Sequence, residues 1–452
     1  MSGIHTIVQA IVDEGLGNSS YLVELGDGGA VVIDPCRDPI PYLDLARERR
    51  LTITHSVETH LHADFVSGSR ELAARGASVV AARAGNLQFE HRGLEDQEEL
   101  ELGGLVLRAL ATPGHTPEHL SYLLLDAGRP GALFSGGALL VGGVARTDLV
   151  SPDLTAPLTE AAWDSVRRLL TLPDDMTVYP THGAGSFCAT AGGGERVTTI
   201  GAQRTGNPLL AAADEADFAE LLLGGLGSYP PYFLRLREVN RRGPRLLDAA
   251  ALALPELSTE QVRRERERGA VLIDVRPFEA FAAGHPAGAL SIGLRPAFAS
   301  WLGWLVEPDR PLLFLLDPGQ DRTELVRQCH RIGYERLAGE LAGGISAWRA
   351  AGLPEGRIEL IGPDQVDGHV LDVRQASETA MGHLPGATTI ELGALDPHQA
   401  LPPGPLTVMC GHGVRATTAA SLLAQGGRRE LRVLRGSAED WSQATGTPLV
   451  RG

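Results

Sequence analysis

Cysteine is scarce, with 4 residues in 452 (Cys36, Cys188, Cys329 and Cys410) and no pair at CxxC spacing. That excludes a disulfide framework and a zinc ribbon, and it fits a reducing compartment, so a cytoplasmic location is expected. Positive charge is short as well. Forty Lys and Arg against 56 Asp and Glu leave a formal net charge of -16. Over such a surface a phosphodiester backbone or an anionic membrane is repelled, so neither nucleic acid nor membrane is expected as a partner. Long apolar runs are missing too: none approaches the ~20 residues of a membrane helix. The opening MSGIHTIVQAIVDEG lacks the basic start and apolar centre of a signal peptide.

What is present is length. A chain of 452 residues with 43% hydrophobic side chains exceeds a single core and divides into roughly three domains. From the start to about residue 190, β-rich runs such as IHTIVQAIV, AVVIDP, LTITHSVET, LVLRALATP and MTVYPTHG alternate with short helical patterns, which predicts a layered αβ domain. From Gly192 to about Leu254 the chain is rich in Gly and Pro and reads as the tail of that domain plus a linker. Beyond it lies a repeat: VLIDVRPFEAFAAGHPAGALSIGL from Val271 matches HVLDVRQASETAMGHLPGATTIEL from His369. Each half continues into an apolar strand, a short loop and a helix, so two copies of one α/β fold stand in tandem.

The chemistry of the first part gathers in three phrases. Glu58-Thr-His60-Leu-His62-Ala-Asp64-Phe65 follows a β-branched run, and Thr112-Pro-Gly-His115 and Tyr179-Pro-Thr-His182-Gly come later. Imidazoles on separate loops, each just after a strand, are how a sheet edge collects metal ligands. Any one of these histidines alone reads as a surface or capping residue; the ordered set reads as a metal site, with His60, His62 and His115 as its candidate ligands and Asp64 and His182 as weaker ones.

The set resembles the metallo-β-lactamase fold superfamily, and ETHLHADFVSG, TPGHTPEHLSYLL, ARTDL and THGAGSFC resemble its persulfide dioxygenase branch. The resemblance implies an α+β sandwich of βαβα layers around a mononuclear non-haem Fe(II). In that branch the ligands fall at His60, His115 and position 137, where this chain carries Gly137 in LFSGGALLVGGVARTDL. Phe65 stands where many relatives have the last His of HxHxDH, so a second metal retains only Asp64 and His182. Two readings stay open: Fe(II), or Zn, held by His60, His62 and His115, or no metal at all, with the domain binding a thiol carrier. A metal-dependent thioester hydrolase is the third, disfavoured by Gly137. By the same resemblance Arg146 belongs to the wall that receives the carrier; an ion pair with Asp148 is the alternative.

In the second repeat Cys410-Gly411-His412-Gly413-Val414-Arg415 lies between an apolar strand and a helical run. A cysteine opening such a loop sits among backbone N–H groups that lower its pKa and cradle an anionic sulfur, and Arg415 adds a positive charge. With DVR at Asp372–Arg374 and GHLPGA from Gly382, this half resembles a rhodanese domain. The resemblance implies a sulfurtransferase in which Cys410 and Arg415 are catalytic and Gly411, His412, Gly413 and Val414 bind substrate. The first copy has Asp317 at the cysteine's position and Pro318 after it, which removes both the sulfur carrier and one amide donor.

The fold expected is therefore α/β: a metallo-β-lactamase sandwich at 1–254, an inactive rhodanese-like domain at 255–355 and an active one at 356–452. The expected substrates are a low-molecular-weight thiol persulfide and thiosulfate or sulfite. A homodimer or homotetramer is allowed.

Overall fold

The computed structural model describes residues 8–189, 194–248 and 250–451. The first residues of the opening segment, including the start of the expected IHTIVQAIV strand, and the expected onset of the linker at Gly192 lie outside the described residues. The chain divides into two compact units, Met1–Asp248 with Cys329–Gly333 and Ala249–Gln328 with Tyr334–Gly452.

Two six-stranded sheets build the first unit. One runs in the order Val8–Asp13, Asn18–Glu24, Gly29–Ile33, Thr52–Val57, Ser78–Ala82, Arg92–Leu94. Its first three strands pair antiparallel and the rest parallel. The other runs Thr198–Thr199, Thr177–Pro180, Arg129–Gly136, Leu120–Asp126, Leu105–Ala111, Glu99–Leu102. Burial explains the patterns: Asn18–Glu24 and Gly29–Ile33 are covered on both faces and read as unbroken apolar or small runs, whereas Glu99–Leu102 has one wet face and alternates.

Tyr21, Val31, Ile33, Tyr122 and Phe134 fill the space between the sheets. The helix Ile40–Arg49 packs Tyr42 and Ala46, and Ser69–Ala73 packs Leu72, into a second apolar cluster with Leu22, Ala30 and Val32 of the first sheet. On the second sheet, Leu169 at the end of the helix Pro152–Leu169 joins Leu133 and Val178. Helices thus cover the outer faces of paired sheets, the expected βαβα sandwich. Truncating Phe134, 1% exposed, to Ala would cost about 3–5 kcal/mol.

The second unit holds two five-stranded sheets of identical topology. One is ordered Glu256–Leu257, Leu337–Leu341, Leu312–Leu315, Val271–Asp274, Leu290–Ser291, and the other Glu359–Ile361, Leu431–Leu434, Leu406–Met409, His369–Asp372, Thr388–Thr389. All these pairings are parallel. The DVR phrase found in both repeats is a buried clamp. Arg276 Nη2 donates to Asp274 at 2.6 Å and to the Gly284 carbonyl at 2.9 Å; Arg374 Nη2 does the same to Asp372 at 2.6 Å and to the Gly382 carbonyl at 2.7 Å. Asp372 holds the turn after its strand. Among the described residues no helix is long and apolar enough to cross a membrane.

Candidate functional site

The strand Thr52–Val57 ends at Glu58, and the next residues, Thr59 to Asp64, pass as a buried loop under the edge of both sheets. Thr59 organises it. Its hydroxyl lies 2.7 Å from Asp34 Oδ2, to which it donates, and 2.8 Å from His60 Nδ1. The His60 proton therefore sits on Nδ1, directed at the threonine oxygen, which leaves Nε2 as a free lone pair. His115 repeats the device: its Nδ1 donates to the Arg146 carbonyl at 2.7 Å and its Nε2 has no hydrogen-bond partner. His182 does so a third time, with Nδ1 3.0 Å from Asn18 Oδ1 and 3.2 Å from Asp64 Oδ2.

These three imidazoles converge. His60, His115 and His182 each offer a nitrogen within 4.8 Å of the other two, all buried. His60 Nε2 and His182 Nε2 stand 3.3 Å apart, close to the ~3.3–3.4 Å separation of two nitrogens bound at about 2.0–2.1 Å to one tetrahedral ion. Two lone pairs facing at that distance repel unless a cation lies between them. Burial and neighbouring imidazole charge push His60 well below its ordinary pKa, and burial with the charge of His182 takes His115 to about 3. Both are neutral, as metal ligands must be.

One expected ligand is elsewhere. His62 Nε2 lies 3.1 Å from Glu58 Oε2 and 3.2 Å from Asp34 Oδ1. Burial disfavours charge on His62, but the Asp34 and Glu58 carboxylates outweigh it and raise its pKa to about 10. His62 thus lies against two buried carboxylates, while the nitrogens of His60, His115 and His182 are the ones that converge. His62 can also approach Asp64 and His182 with one nitrogen. Phe65 stacks on His62, ring centroids 4.1 Å apart.

Gly137 lies against the site. Its N–H donates to His119 Nε2 at 2.9 Å, and a Cβ built on it would fall 2.8 Å from His115 Cδ2 and 3.0 Å from Ala145 Cβ. Glycine fits here because the imidazole of His115 occupies the space a side chain would need. Next to it, Gly136 adopts φ +56°, where a Cβ would meet His119 Nε2 at 2.4 Å, so both glycines let the backbone pass under the imidazoles.

Arg146 is buried, and its guanidinium is fully engaged. It pairs with Asp148 at 2.6 and 2.8 Å, donates to the Phe187 and Gly227 carbonyls at 3.1 Å each, and lies over the Tyr229 ring. The ion pair with Asp148, not an open carrier contact, is what the fold builds. Cys188 is buried with Asp64 and Arg146 about its thiol, and burial pushes that thiol well above its ordinary pKa. A cleft reaches His115, with Leu61, Phe233 and Arg241 on its walls.

In the second repeat the strand Leu406–Met409 delivers Cys410 to the start of the helix Val414–Gln425. The Gly413 N–H donates to Cys410 Sγ at 3.2 Å, and Gly413 itself has φ 91°. Only a residue without Cβ passes there, because Phe278 would stand 2.9 Å away. Gly411 and Val414 are half-buried, and His412 is exposed. Arg415 closes the loop, but Glu378 holds both of its terminal nitrogens, at 2.5 and 2.8 Å.

The first repeat's loop is closed by its own side chains. Gln320 accepts from the Asp317 N–H at 2.9 Å and donates to the Val275 carbonyl at 2.7 Å. Arg322 Nη1 donates to the carbonyls of Asp317, Pro318 and Gln320 at 2.8 to 3.2 Å, and the rest of its guanidinium is bound by Glu340. No cradle is left for an anion.

Sequence reasoning missed Asp34, Glu58, Asn18 and His119. Glu58 stands four residues before His62 in the quoted phrase and Asp34 closes the AVVIDP run, so both were in view as strand-end acids. Their pairing with one histidine follows only from the parallel register of Gly29–Ile33 with Thr52–Val57.

The two geometries define a class: a sandwich that can hold a metal ion on neutral imidazoles, on one chain with a fold built to present a cysteine to an anion. Residues 13–182 match the metallo-beta-lactamase superfamily, and residues 258–351 and 358–444 each match the rhodanese-like domain. The mitochondrial persulfide dioxygenase ETHE1 of Homo sapiens is 32% identical over 198 residues, which cover 43% of this chain and 70% of the human protein. A hydroxyacylglutathione hydrolase of Rhodopseudomonas palustris (strain BisB18) is 31% identical over 216 residues, 47% of this chain and 77% of that one. The crystal structure of a metallo-beta-lactamase from Staphylococcus aureus subsp. aureus COL is similar with a TM-score of 0.66 at 28% identity, over 74% of this chain and 98% of that one. The chain belongs to the metallo-beta-lactamase superfamily, as a homologue of the persulfide dioxygenases, and carries a tandem pair of rhodanese-like domains.

Proposed function

We propose that this chain is an enzyme of sulfane-sulfur metabolism in three domains, residues 1–254, 255–355 and 356–452. The last carries sulfur on Cys410, and the first oxidises a low-molecular-weight thiol persulfide to sulfite with dioxygen. The observation that carries the reading is the contrast between two loops of one fold. In the second repeat the Gly413 amide points at Cys410 Sγ; in the first, Gln320 and Arg322 fill the equivalent space.

At Cys410 the transfer is a displacement. The thiolate attacks the outer sulfur of thiosulfate, a new S–S bond forms, the old one breaks, and sulfite leaves with the electron pair. The product, a cysteine persulfide anion, carries its charge toward the Gly413 amide and the start of the helix Val414–Gln425, where N–H groups favour it. Arg415, shared with Glu378, fixes the loop.

In the first domain His60, His115 and His182 would hold an ion through their Nε2 atoms. Fe(II) bound there supplies activation of dioxygen and an open position for the persulfide sulfur; Zn would fit the same nitrogens but not the oxidation. Thr59, the Arg146 carbonyl and Asn18 keep the three imidazoles in the right tautomer and orientation. Phe65 in place of a histidine speaks against a dinuclear hydrolase. In the reverse of this displacement sulfite attacks the outer sulfur of the Cys410 persulfide, the Cys410 thiolate leaves and thiosulfate forms, so sulfite made by the first domain meets its acceptor at raised local concentration because both ride on one chain.

The test is dioxygen uptake by iron-loaded Cys410→Ser protein given glutathione persulfide, in which sulfur transfer cannot mask oxidation. Uptake that disappears in His115→Ala supports the dioxygenase. Absence of uptake together with absence of bound iron refutes it and leaves the first domain as a binding module for the thiol carrier.

A further inference from the structure

The silent repeat lies against the cysteine loop of the active one. Its segment from Gly288 to Arg295 runs antiparallel to the helix Val414–Gln425. Gln425, at the helix C-terminus, donates to the Gly288 carbonyl at 3.1 Å, and Ser421 Oγ accepts from the Ser291 N–H at 3.0 Å. From Ser421 back to Arg415 the helix rises about 9 Å. The four residues from Ser291 to Arg295, the last two in a bend, can reach up to about 13 Å along it. That brings Arg295 level with the helix N-terminus, where Phe278 of the same repeat already packs on Gly413.

The electrostatics agree with this register. Burial lowers the pKa of Arg295, the charge of Arg415 lowers it further, and Cys410 acts in the opposite sense. Arg415 is neutralised by Glu378, whereas the Arg295 side chain has no hydrogen bond or ion pair among the described residues. Its backbone is fixed instead: the carbonyl accepts from Gln328 Nε2 at 3.2 Å. A guanidinium held beside another guanidinium, without a carboxylate of its own, is an arrangement that an anion between them stabilises.

We propose that the first repeat completes the active site of the second: Arg295 binds the sulfur oxyanion, thiosulfate on entry and sulfite on departure, while Phe278 walls the loop. The proposal rests on the reading of Cys410 as the sulfur carrier. It gives the silent copy a task in the reaction, and it makes Arg295 a specificity residue for dianionic donors.

The experiment uses the full chain and the variants Arg295→Gln and Arg295→Lys. In thiosulfate:cyanide transfer, Arg295→Gln raises the KM for thiosulfate about tenfold, the loss expected for one charge-assisted hydrogen bond at a partly open site. The KM for cyanide stays within twofold, and Arg295→Lys recovers most of the loss. A second readout needs no sulfur transfer: alkylation of Cys410 by anionic iodoacetate against neutral iodoacetamide, followed on the Cys410 peptide by mass spectrometry. The ratio of the two rates falls at least threefold in Arg295→Gln. An unchanged ratio, or a thiosulfate KM unmoved or moved equally with that of cyanide, overturns the proposal. If the unaltered protein transfers no sulfur, or Cys410→Ser still does, the sulfur-carrier reading has failed, and the alkylation ratio still decides where Arg295 acts.

Discussion

Replacing Gly137 by Asp supplies the carboxylate that the persulfide dioxygenase resemblance places at this position, and the simplest expectation is tighter metal binding. The packing argues otherwise. A Cβ at 137 would stand 2.8 Å from His115 Cδ2, 3.0 Å from His115 Cγ and 3.0 Å from Ala145 Cβ. His115 cannot swing aside freely, because its Nδ1 is tied to the Arg146 carbonyl at 2.7 Å and its Nε2 must face His60 and His182. Forcing an extra carbon into such a site costs about 1–3 kcal/mol. If that strain is taken from the ligand geometry, it is roughly 5- to 150-fold in affinity. Gly137→Ala isolates the steric effect, and a loss of about tenfold is expected, in the range found when ligand-orienting contacts are disturbed. Gly137→Asp adds an anionic ligand to the same strain and binds no more tightly than the unaltered protein. Competition against a colorimetric chelator, with Zn(II) and with Fe(II) under nitrogen, measures both. Gly137→Ala binding as well as the unaltered protein, or Gly137→Asp binding more than tenfold tighter, would refute the reasoning.

Four further outcomes are expected. Cys410→Ser abolishes thiosulfate:cyanide sulfur transfer while circular dichroism stays unchanged; persisting transfer would move the sulfur carrier elsewhere. Asp317→Cys gives the first repeat no activity of its own, measured in a Cys410→Ser background, because Gln320 and Arg322 already occupy its loop. Burial would raise the Glu378 carboxyl, but its hydrogen bond and charge pairing with Arg415 prevail and hold it below its ordinary 4.5. A depressed carboxylate adds stability above the unfolded value that is lost as pH falls through the folded one. An acid titration should therefore show a loss below about pH 4.5, under 1 kcal/mol for so open a pair, that Glu378→Gln lacks. Finally, Asp372→Asn strands the buried Arg374 and costs about 3–5 kcal/mol, read as faster hydrogen exchange in the strand His369–Asp372.

Much of this was legible in the sequence because it depended on order and periodicity. The two DVR phrases marked two copies of one fold, and the histidine phrases marked a candidate metal site at strand ends. What was not legible was partnership across the fold. His62 looked equivalent to His60, since both extend from the same loop; Asp34, 28 residues earlier in the chain, lies against His62 alone of the two. Arg146 read equally as a carrier contact or as an ion pair, and the burial that settles it comes from Phe187, Gly227 and Tyr229, all distant in sequence. Arg295 carries no motif, and it acquires meaning only from the helix packed against its segment.

The doubled Asp–Arg clamp offers a calibration that few enzymes contain. Asp274–Arg276 and Asp372–Arg374 share spacing, geometry and a third partner eight residues beyond the arginine, yet one sits in a copy whose loop is filled by its own side chains and the other in the copy that carries Cys410. A lesion in the first copy loosens the neighbour that supplies Phe278 to the cysteine loop; the same lesion in the second loosens the strand that leads to that loop directly. Comparing the two, within a single polypeptide and a single experiment, separates support given across the repeats from support given within one.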